Sequence, residues 1–184
     1  MTDAELVAEA RAGDRSAFDA IVQRYQHAVF RAALAVTADR SEAEDAAQDT
    51  FLKAYRFLGD FRGESSLKTW LLAIAWREGL SRRRSIACRL RRLVAPSGDE
   101  PFDPPEPRRS SEARLVAVEH AAAVRRLVAS LPDKYRVPLL LSASGDYTFD
   151  EIAEALGVPC GTVKWRVSDA RRQLRAKLAA MGYT

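Results

Sequence analysis

A proline-rich acidic stretch, APSGDEPFDPPEPRRSSEA, begins at residue 95 and limits how this chain can fold. It holds five of the chain's eight prolines and contains no leucine, isoleucine or valine. Proline-rich chain is extended, and without aliphatic side chains it cannot contribute to a packed core. The stretch therefore divides the 184-residue chain into two blocks. We predict domains at 1–94 and 113–184, joined by a flexible linker at 95–112.

Both blocks carry apolar residues at three- and four-residue steps, the period of an amphipathic α-helix. No segment shows the alternating pattern of a half-buried β-strand. The predicted helices of the first block are 16–36, 41–58 and one that starts near residue 66. Ser16 with Asp19, and Ser41 with Glu44, predict the N-terminal caps of the first two. The pattern predicts an all-α fold of two small helical domains.

The second block ends in the order helix, glycine turn, basic helix. Thr148 with Glu151 predicts a capping box, and Gly157 predicts the end of that helix. This order is typical of a helix-turn-helix, in which the second helix lies in the major groove of DNA. In the last helix, apolar residues share one side and are predicted to pack on Ile152 and Leu156; they are Val163, Val167, Ala170, Leu174 and Leu178.

The opposite side of this last helix is predicted to face solvent or DNA. It carries Trp165, Ser168, Asp169 and Arg172, and cations lie on its flanks at Lys164, Arg166, Arg171 and Arg175. Such a layout suits base edges in front and phosphates at the sides. Three placements of the tryptophan fit the pattern: on DNA sugars or a thymine methyl, in the pocket of a partner, or folded back on its own domain.

Charge and composition narrow the classes of function. The net charge is only +4, but the segment 77–92 is strongly basic and the segment 39–49 is acidic. This distribution favours one polyanionic partner and one separate protein partner. The two cysteines lie far apart in the sequence, and neither they nor the two histidines form a metal-binding pattern. No nucleophile–base set, phosphate-binding glycine loop or membrane-spanning apolar run is present. We predict a non-enzymatic cytoplasmic protein with no cofactor.

Three segments, in this order along the chain, resemble the bacterial sigma-factor family. SEAEDAAQDTFLKAY (41–55) is similar to the segment with which the family binds core RNA polymerase, and FRGESSLKTWLLAIA (61–75) to the segment that melts and reads the −10 element. SLPDKYRVPLLL together with TFDEIAEALGVPCGTVKWRVSDARRQLR is similar to its −35-reading domain. Nearly the whole chain resembles the extracytoplasmic-function subgroup, the two-domain form of the family.

The resemblance implies a role for each matching residue. The residues implied in binding the polymerase are Asp45, Gln48, Asp49 and Phe51. Those implied in contacting −10 DNA are Phe61, Arg62, Gly63, Glu64, Ser65, Ser66, Trp76, Arg77, Arg82, Arg83 and Arg84. Those implied in contacting −35 DNA are Thr162, Lys164, Trp165, Arg166, Arg171 and Arg172. Trp70 also matches the family but is predicted to face the core.

The chain departs from the family pattern at a few of these positions. Trp76 and Arg77 stand where the family usually has arginine and asparagine, and Ser81 stands where it usually has aspartate. In the last helix, Trp165 replaces a usual serine and Asp169 a usual arginine. An aspartate that faces the groove would repel phosphates and could accept a hydrogen bond from a cytosine amine.

By this resemblance the protein is a sigma factor that directs core RNA polymerase to promoters and starts transcription. The implied partners are the clamp helices of the largest polymerase subunit, the flap region, promoter DNA and an inhibitory anti-sigma protein. The protein would be a monomer when free and would join the nucleoid in the holoenzyme. Two alternatives stay open: a helix-turn-helix regulator that binds an operator without polymerase, and a sigma-like adaptor that has lost promoter function.

Overall fold

The structure, a computed structural model, describes the backbone of residues 1–93 and 112–182 and the side chains of 1–86 and 119–182. The described residues form helices and contain no strand, which confirms the predicted all-α class. The helices are α1 (Asp3–Arg11), α2 (Arg15–Thr37), α3 (Arg40–Phe57), α4 (Leu67–Leu93), α5 (Glu112–Ala129), α6 (Asp133–Ser144), α7 (Phe149–Leu156) and α8 (Cys160–Ala180), with a short 3-10 turn at Leu58–Asp60. The predicted linker lies outside the described residues, except for Glu112.

Aspartates, and not the predicted serines, cap α2 and α3. The Asp14 carboxylate accepts a hydrogen bond from the Ser16 amide at 2.8 Å, and Asp39 accepts one from the Glu42 amide at 2.8 Å. A carboxylate at this position also interacts favourably with the positive end of the helix dipole. The predicted caps were therefore wrong; they were Ser16 with Asp19 and Ser41 with Glu44.

The helices α1 to α4 form the N-terminal group, whose core lies where α2 crosses α4. Ile21 and Val36 of α2 and Leu71 of α4 are fully buried there. Gly79 allows the two helices to approach closely, because a Cβ at this position would lie 2.8 Å from the Cβ of Val36. The sequence pattern did not single out α1, which buries Leu6 and Val7.

The helices α5 to α8 form the C-terminal group. Its core contains Val137 of α6, Ile152 of α7 and Val163 of α8, all fully buried. Pro138 lies inside α6. The capping box of Thr148 with Glu151 and the left-handed Gly157 that ends α7 are confirmed.

The two groups of helices pack against each other, and one cluster of buried residues includes side chains from both. Arg31 of α2 forms two hydrogen bonds with the Asp146 carboxylate, at 2.6 and 2.5 Å. Lys68 of α4 lies 2.8 Å from the Glu151 carboxylate and also donates to the Asp146 carbonyl at 2.9 Å. Arg136, which is 6% exposed, donates to the Val36 carbonyl at 3.1 Å. The contact between the groups was not predicted.

Glu151 makes the stability of this contact depend on pH. Burial disfavours its charged form, but the Lys68 ammonium and the hydrogen bonds from Thr148 outweigh burial and lower the pKa of the carboxyl. A lowered pKa means that the stabilisation is present above the unfolded pKa of about 4.3 and is lost as the pH falls through the folded value. Both the capping box and the contact with α4 should therefore weaken in acid.

Glu151→Gln is expected to lower the free energy of unfolding by about 1 kcal/mol at pH 7, because it weakens a cap and removes a partly exposed ion pair. The difference from wild type should shrink between pH 5 and pH 3, as measured by urea denaturation. The matched control is Glu154→Gln, an exposed glutamate of the same helix. A difference that stays constant over this pH range would contradict the assignment to Glu151.

Candidate nucleic-acid and protein interfaces

The helices α7 and α8 form the predicted helix-turn-helix. Gly157 adopts a left-handed backbone with φ 66°, which ends α7 and lets the chain turn into α8. The side of α8 that packs on the rest of the C-terminal group is apolar, as predicted; its buried members are Val163, Val167, Ala170 and Leu174. This packing fixes which side of α8 faces outward.

The outward side, here called the outer face of α8, is strongly basic. Its exposed residues are Lys164, Trp165, Ser168, Arg171, Arg172 and Arg175. Two more of the residues implied in −35 contact, Thr162 and Arg166, are half-buried on a flank of the helix. A helix with cations on an exposed side and an apolar back can lie in the major groove, where cations contact phosphates and the front contacts base edges.

Asp169 does not lie on the exposed side of α8, so its predicted outward placement was wrong. The residue is only 9% exposed, and its carboxylate pairs with Arg172 and accepts a hydrogen bond from the Gln173 amide at 2.8 Å. One turn away, Tyr135 of α6 contacts the Trp165 ring, although Trp165 itself stays 59% exposed. Asp169 therefore holds its neighbour Arg172 in place and does not present a negative charge to DNA.

A row of acidic and polar residues lies on α3. The acidic face of α3 is defined by Glu42, Asp45, Gln48 and Asp49, which recur at three- and four-residue steps. Asp45 and Gln48 are exposed, and Asp49 is half-buried. A basic or polar side chain of a partner protein could approach this row directly, because the carboxylates are at the surface of the N-terminal group.

Arg82 of α4 reaches this acidic face. Its guanidinium lies 2.6 Å from the Asp49 carboxylate, 3.0 Å from Asp45 and 3.4 Å from Glu42. Burial disfavours the charged form of Arg82, but the carboxylates outweigh it and raise its pKa. The resemblance implied that Arg82 contacts DNA. In this structure its guanidinium joins α4 to α3.

Apolar residues continue the acidic face towards the end of α3. Leu52 is 56% exposed and Tyr55 is 50% exposed, whereas Phe51, which the resemblance implied, is half-buried against the core. The sequence interpretation did not include Leu52 and Tyr55. The signal was available, because Asp45, Asp49 and Leu52 follow one another along a single side of the helix. Exposed apolar side chains beside a charged row are typical of protein interfaces.

The loop 61–66 connects the 3-10 turn to α4 and is open to solvent over most of its length. Phe61 is half-buried, and its ring centre lies 5.2 Å from that of Trp70, which confirms that Trp70 packs inward. The Arg11 side chain donates to the Leu58 carbonyl at 2.9 Å and so supports the base of the loop. The exposed members of the loop are Arg62, Gly63, Glu64 and Ser66, and Ser65 is half-buried.

The remaining candidate residues of α4 differ in their surroundings. Arg77 and Arg84 are exposed, and Trp76 is half-buried against the core. Arg83 pairs with Asp133 of the C-terminal group and also donates to the Val36 carbonyl at 3.4 Å. Among the α4 arginines whose side chains the structure describes, Arg77 and Arg84 are the most accessible to a polyanion, and Arg62 in the loop is exposed as well.

The described part of the chain has no group of three histidine, cysteine, aspartate or glutamate residues that could hold a metal ion. Among the described helices, none combines the length and the apolar character that crossing a membrane would require. The candidate sites are therefore the outer face of α8, the acidic face of α3, and the loop 61–66 with α4.

Comparison with known protein families identifies the family of this chain. Residues 21–87 match the family model for sigma-70 region 2, and residues 121–174 match the model for sigma-70 region 4. The chain is 33% identical over 179 residues to the RNA polymerase sigma-H factor of Pseudomonas aeruginosa, covering 94% of this chain and 91% of that protein. The chain belongs to the sigma-70 family of RNA polymerase sigma factors.

A second relative identifies the subgroup. This sigma factor is 35% identical over 173 residues to the ECF RNA polymerase sigma factor SigM of Mycobacterium tuberculosis, covering 94% of this chain and 83% of SigM. It therefore belongs to the extracytoplasmic-function (ECF) subgroup. A solved structure of the sigma factor RpoE in complex with the anti-sigma factor NepR, from Bartonella quintana, matches with a TM-score of 0.68 at 23% identity, covering 88% of this chain and 96% of that one. This likeness shows the fold alone.

Proposed function

We propose that this sigma factor binds core RNA polymerase through the acidic face of α3, opens and reads the −10 element with the loop 61–66 and α4, and reads the −35 element with the outer face of α8. In this proposal the N-terminal group spans the domain 1–94 and the C-terminal group the domain 113–184. The protein catalyses no reaction itself and acts in the cytoplasm, with the nucleoid once it is in the holoenzyme.

The observation that carries the proposal is the layout of α8. Its apolar back is buried in the C-terminal group, and its outer face presents Lys164, Arg171, Arg172 and Arg175 without an intervening exposed acid. A solvated surface helix more often mixes charges of both signs. A cationic outer face on the second helix of a helix-turn-helix fits contact with DNA phosphates and base edges.

Two further observations support the proposed roles of α3 and of the loop 61–66. The acidic face of α3 and the exposed Leu52 and Tyr55 together form a mixed surface that suits a protein partner and would repel DNA. The loop 61–66 presents polar side chains beside the half-buried Phe61, and a polar loop next to an aromatic ring suits an unstacked base. Binding by two linked domains would make the second promoter contact nearly intramolecular.

The partners follow from the same proposal. The clamp helices of the largest polymerase subunit would contact the acidic face of α3, and the flap region would contact the C-terminal group. The related RpoE was solved with an anti-sigma factor, and we propose that an inhibitory protein of this kind also binds this sigma factor. Free of these partners, the chain is proposed to be a monomer.

Arg166→Ala tests the role of α8. Arg166 is half-buried on a flank of α8, which we propose to meet DNA phosphates, so its loss should lower transcription from promoters with a −35 element about tenfold. Transcription from the same promoters with a scrambled −35 element should not change further. The matched control is Arg125→Ala, an exposed arginine of α5. An equal loss on promoters with and without the element would contradict the placement of α8 in the groove.

A further inference from the structure

Trp165 is a large apolar side chain that the core of the C-terminal group does not use. It is 59% exposed, although an indole in water leaves an unusually large apolar area unburied. Single exposed apolar residues are common on proteins. This one, however, lies in the first two turns of the helix proposed to read DNA, which are the turns that reach base edges in a helix-turn-helix.

The indole is held in position by a neighbouring helix. Its ring centre lies 6.0 Å from that of Tyr135 of α6, with the ring planes tilted by 52°. The Lys134 ammonium in turn lies 5.0 Å from the centre of the Tyr135 ring. Aromatic pairs in this range of distances attract each other, so Tyr135 limits the rotamers that Trp165 can adopt. The outward part of the indole is thus presented in a defined direction.

The surroundings of the indole indicate what it can contact. Lys164 and Arg172 are exposed on the same outer face, and Asp169, the one acid of α8, is buried and paired with Arg172. Cations on both sides favour DNA over a protein partner at this position. An indole has a single donor and no acceptor, so it recognises a base mainly through apolar contact. The only apolar group on a base edge in the major groove is the C5-methyl group of thymine.

We propose that Trp165 determines promoter specificity by packing its indole against the C5-methyl group of a thymine in the −35 element. This inference rests on the proposed −35 role of α8 and assigns the chemical group that one position of the element must carry.

Replacing thymine by deoxyuridine tests the proposal, because this change removes the methyl group and keeps every hydrogen-bonding atom. Promoter duplexes would first be selected from a randomised pool by the reconstituted holoenzyme. Each thymine of the selected −35 element would then be replaced by deoxyuridine in turn, and holoenzyme affinity measured for wild type, Trp165→Ser and Trp165→Phe. Thymines replaced in the spacer between the two elements serve as the control.

At one −35 position we expect deoxyuridine to weaken wild-type binding about fourfold, the effect of one buried methyl group. Trp165→Ser should be insensitive to the same change, and Trp165→Phe, which keeps an aromatic ring beside Tyr135, should retain part of the sensitivity. Thermal melting of both variants checks that they fold.

Three results would overturn the proposal. The first is a −35 element that is needed for binding but tolerates deoxyuridine at every position. The second is a Trp165→Ser variant with unchanged methyl sensitivity and weaker binding to core polymerase, which would indicate a protein contact. The third is holoenzyme binding that does not depend on any −35 sequence, in which case the proposed role of α8 fails as well.

Discussion

Replacing Asp45 and Asp49 together by alanine is expected to lower the affinity of this sigma factor for core RNA polymerase about 10- to 100-fold. Both carboxylates belong to the acidic face of α3 and lie at the surface. Their removal also leaves the Arg82 guanidinium without two of its three carboxylate partners. The face that attracts a basic partner would then carry the uncompensated positive charge of Arg82. The loss of affinity for polymerase should therefore exceed the loss expected from removing two isolated surface contacts.

Polymerase binding would be measured with fluorescently labelled sigma factor and sigma-free core enzyme. The matched control is Asp150→Ala with Glu154→Ala, which removes the same number of negative charges from exposed positions of α7. A second control is Arg82→Ala, which keeps the carboxylates and removes only their contact with α4. The α3 variant should bind weakly while both controls bind well. Normal polymerase binding by the α3 variant would contradict the proposed docking surface.

Gly79→Val is expected to lower the free energy of unfolding by about 2–3 kcal/mol. Gly79 lies where α4 crosses α2, and an added Cβ would come within 2.8 Å of the Val36 Cβ and 2.9 Å of its Cγ1. These atoms belong to a fully buried side chain that cannot move into solvent. The helices would have to separate or Val36 would have to change rotamer, and either change disturbs a close-packed core.

A milder substitution separates this steric effect from helix propensity. Gly→Ala within a helix normally stabilises by about 1 kcal/mol, so Gly161→Ala, where no atom lies within 4 Å of the added Cβ, should be neutral or stabilising. Gly79→Ala should instead destabilise. Combining Gly79→Ala with Val36→Ala should restore part of the lost stability. Urea denaturation of wild type, Gly79→Ala, Val36→Ala and the double variant measures the coupling between the two positions. Strict additivity would contradict the steric explanation.

The elements that followed from the sequence are those set by local rules. The capping box at Thr148, the end of α7 at Gly157 and the apolar back of α8 depend on spacing along one helix, and the structure confirms each of them. The caps of α2 and α3 were missed because several polar residues compete at each helix start. The residues that cap these helices are Asp14 and Asp39, each one position before its helix begins.

The features that the sequence did not reveal depend on neighbours from other helices. The helical period places Trp165 on the outward side of α8 but does not show that Tyr135 of α6 contacts its ring. Arg82 belongs to a run of arginines, which favours a DNA contact when only the sequence is considered. The sequence does not show that carboxylates of α3 lie within reach of its side chain. The contact between the two groups of helices was not predicted, because it also depends on which residues of distant helices become neighbours.

Transcription in vitro would show whether this sigma factor directs core polymerase to promoters with two separate elements, as we propose. Purified protein would be added to sigma-free core RNA polymerase with fragmented genomic DNA, and the 5′ ends of the transcripts sequenced. We expect discrete new start sites that share two spaced upstream elements, and far fewer of them with the Asp45→Ala, Asp49→Ala protein. Stable binding to core polymerase without any new start site would contradict the claim and favour the adaptor function.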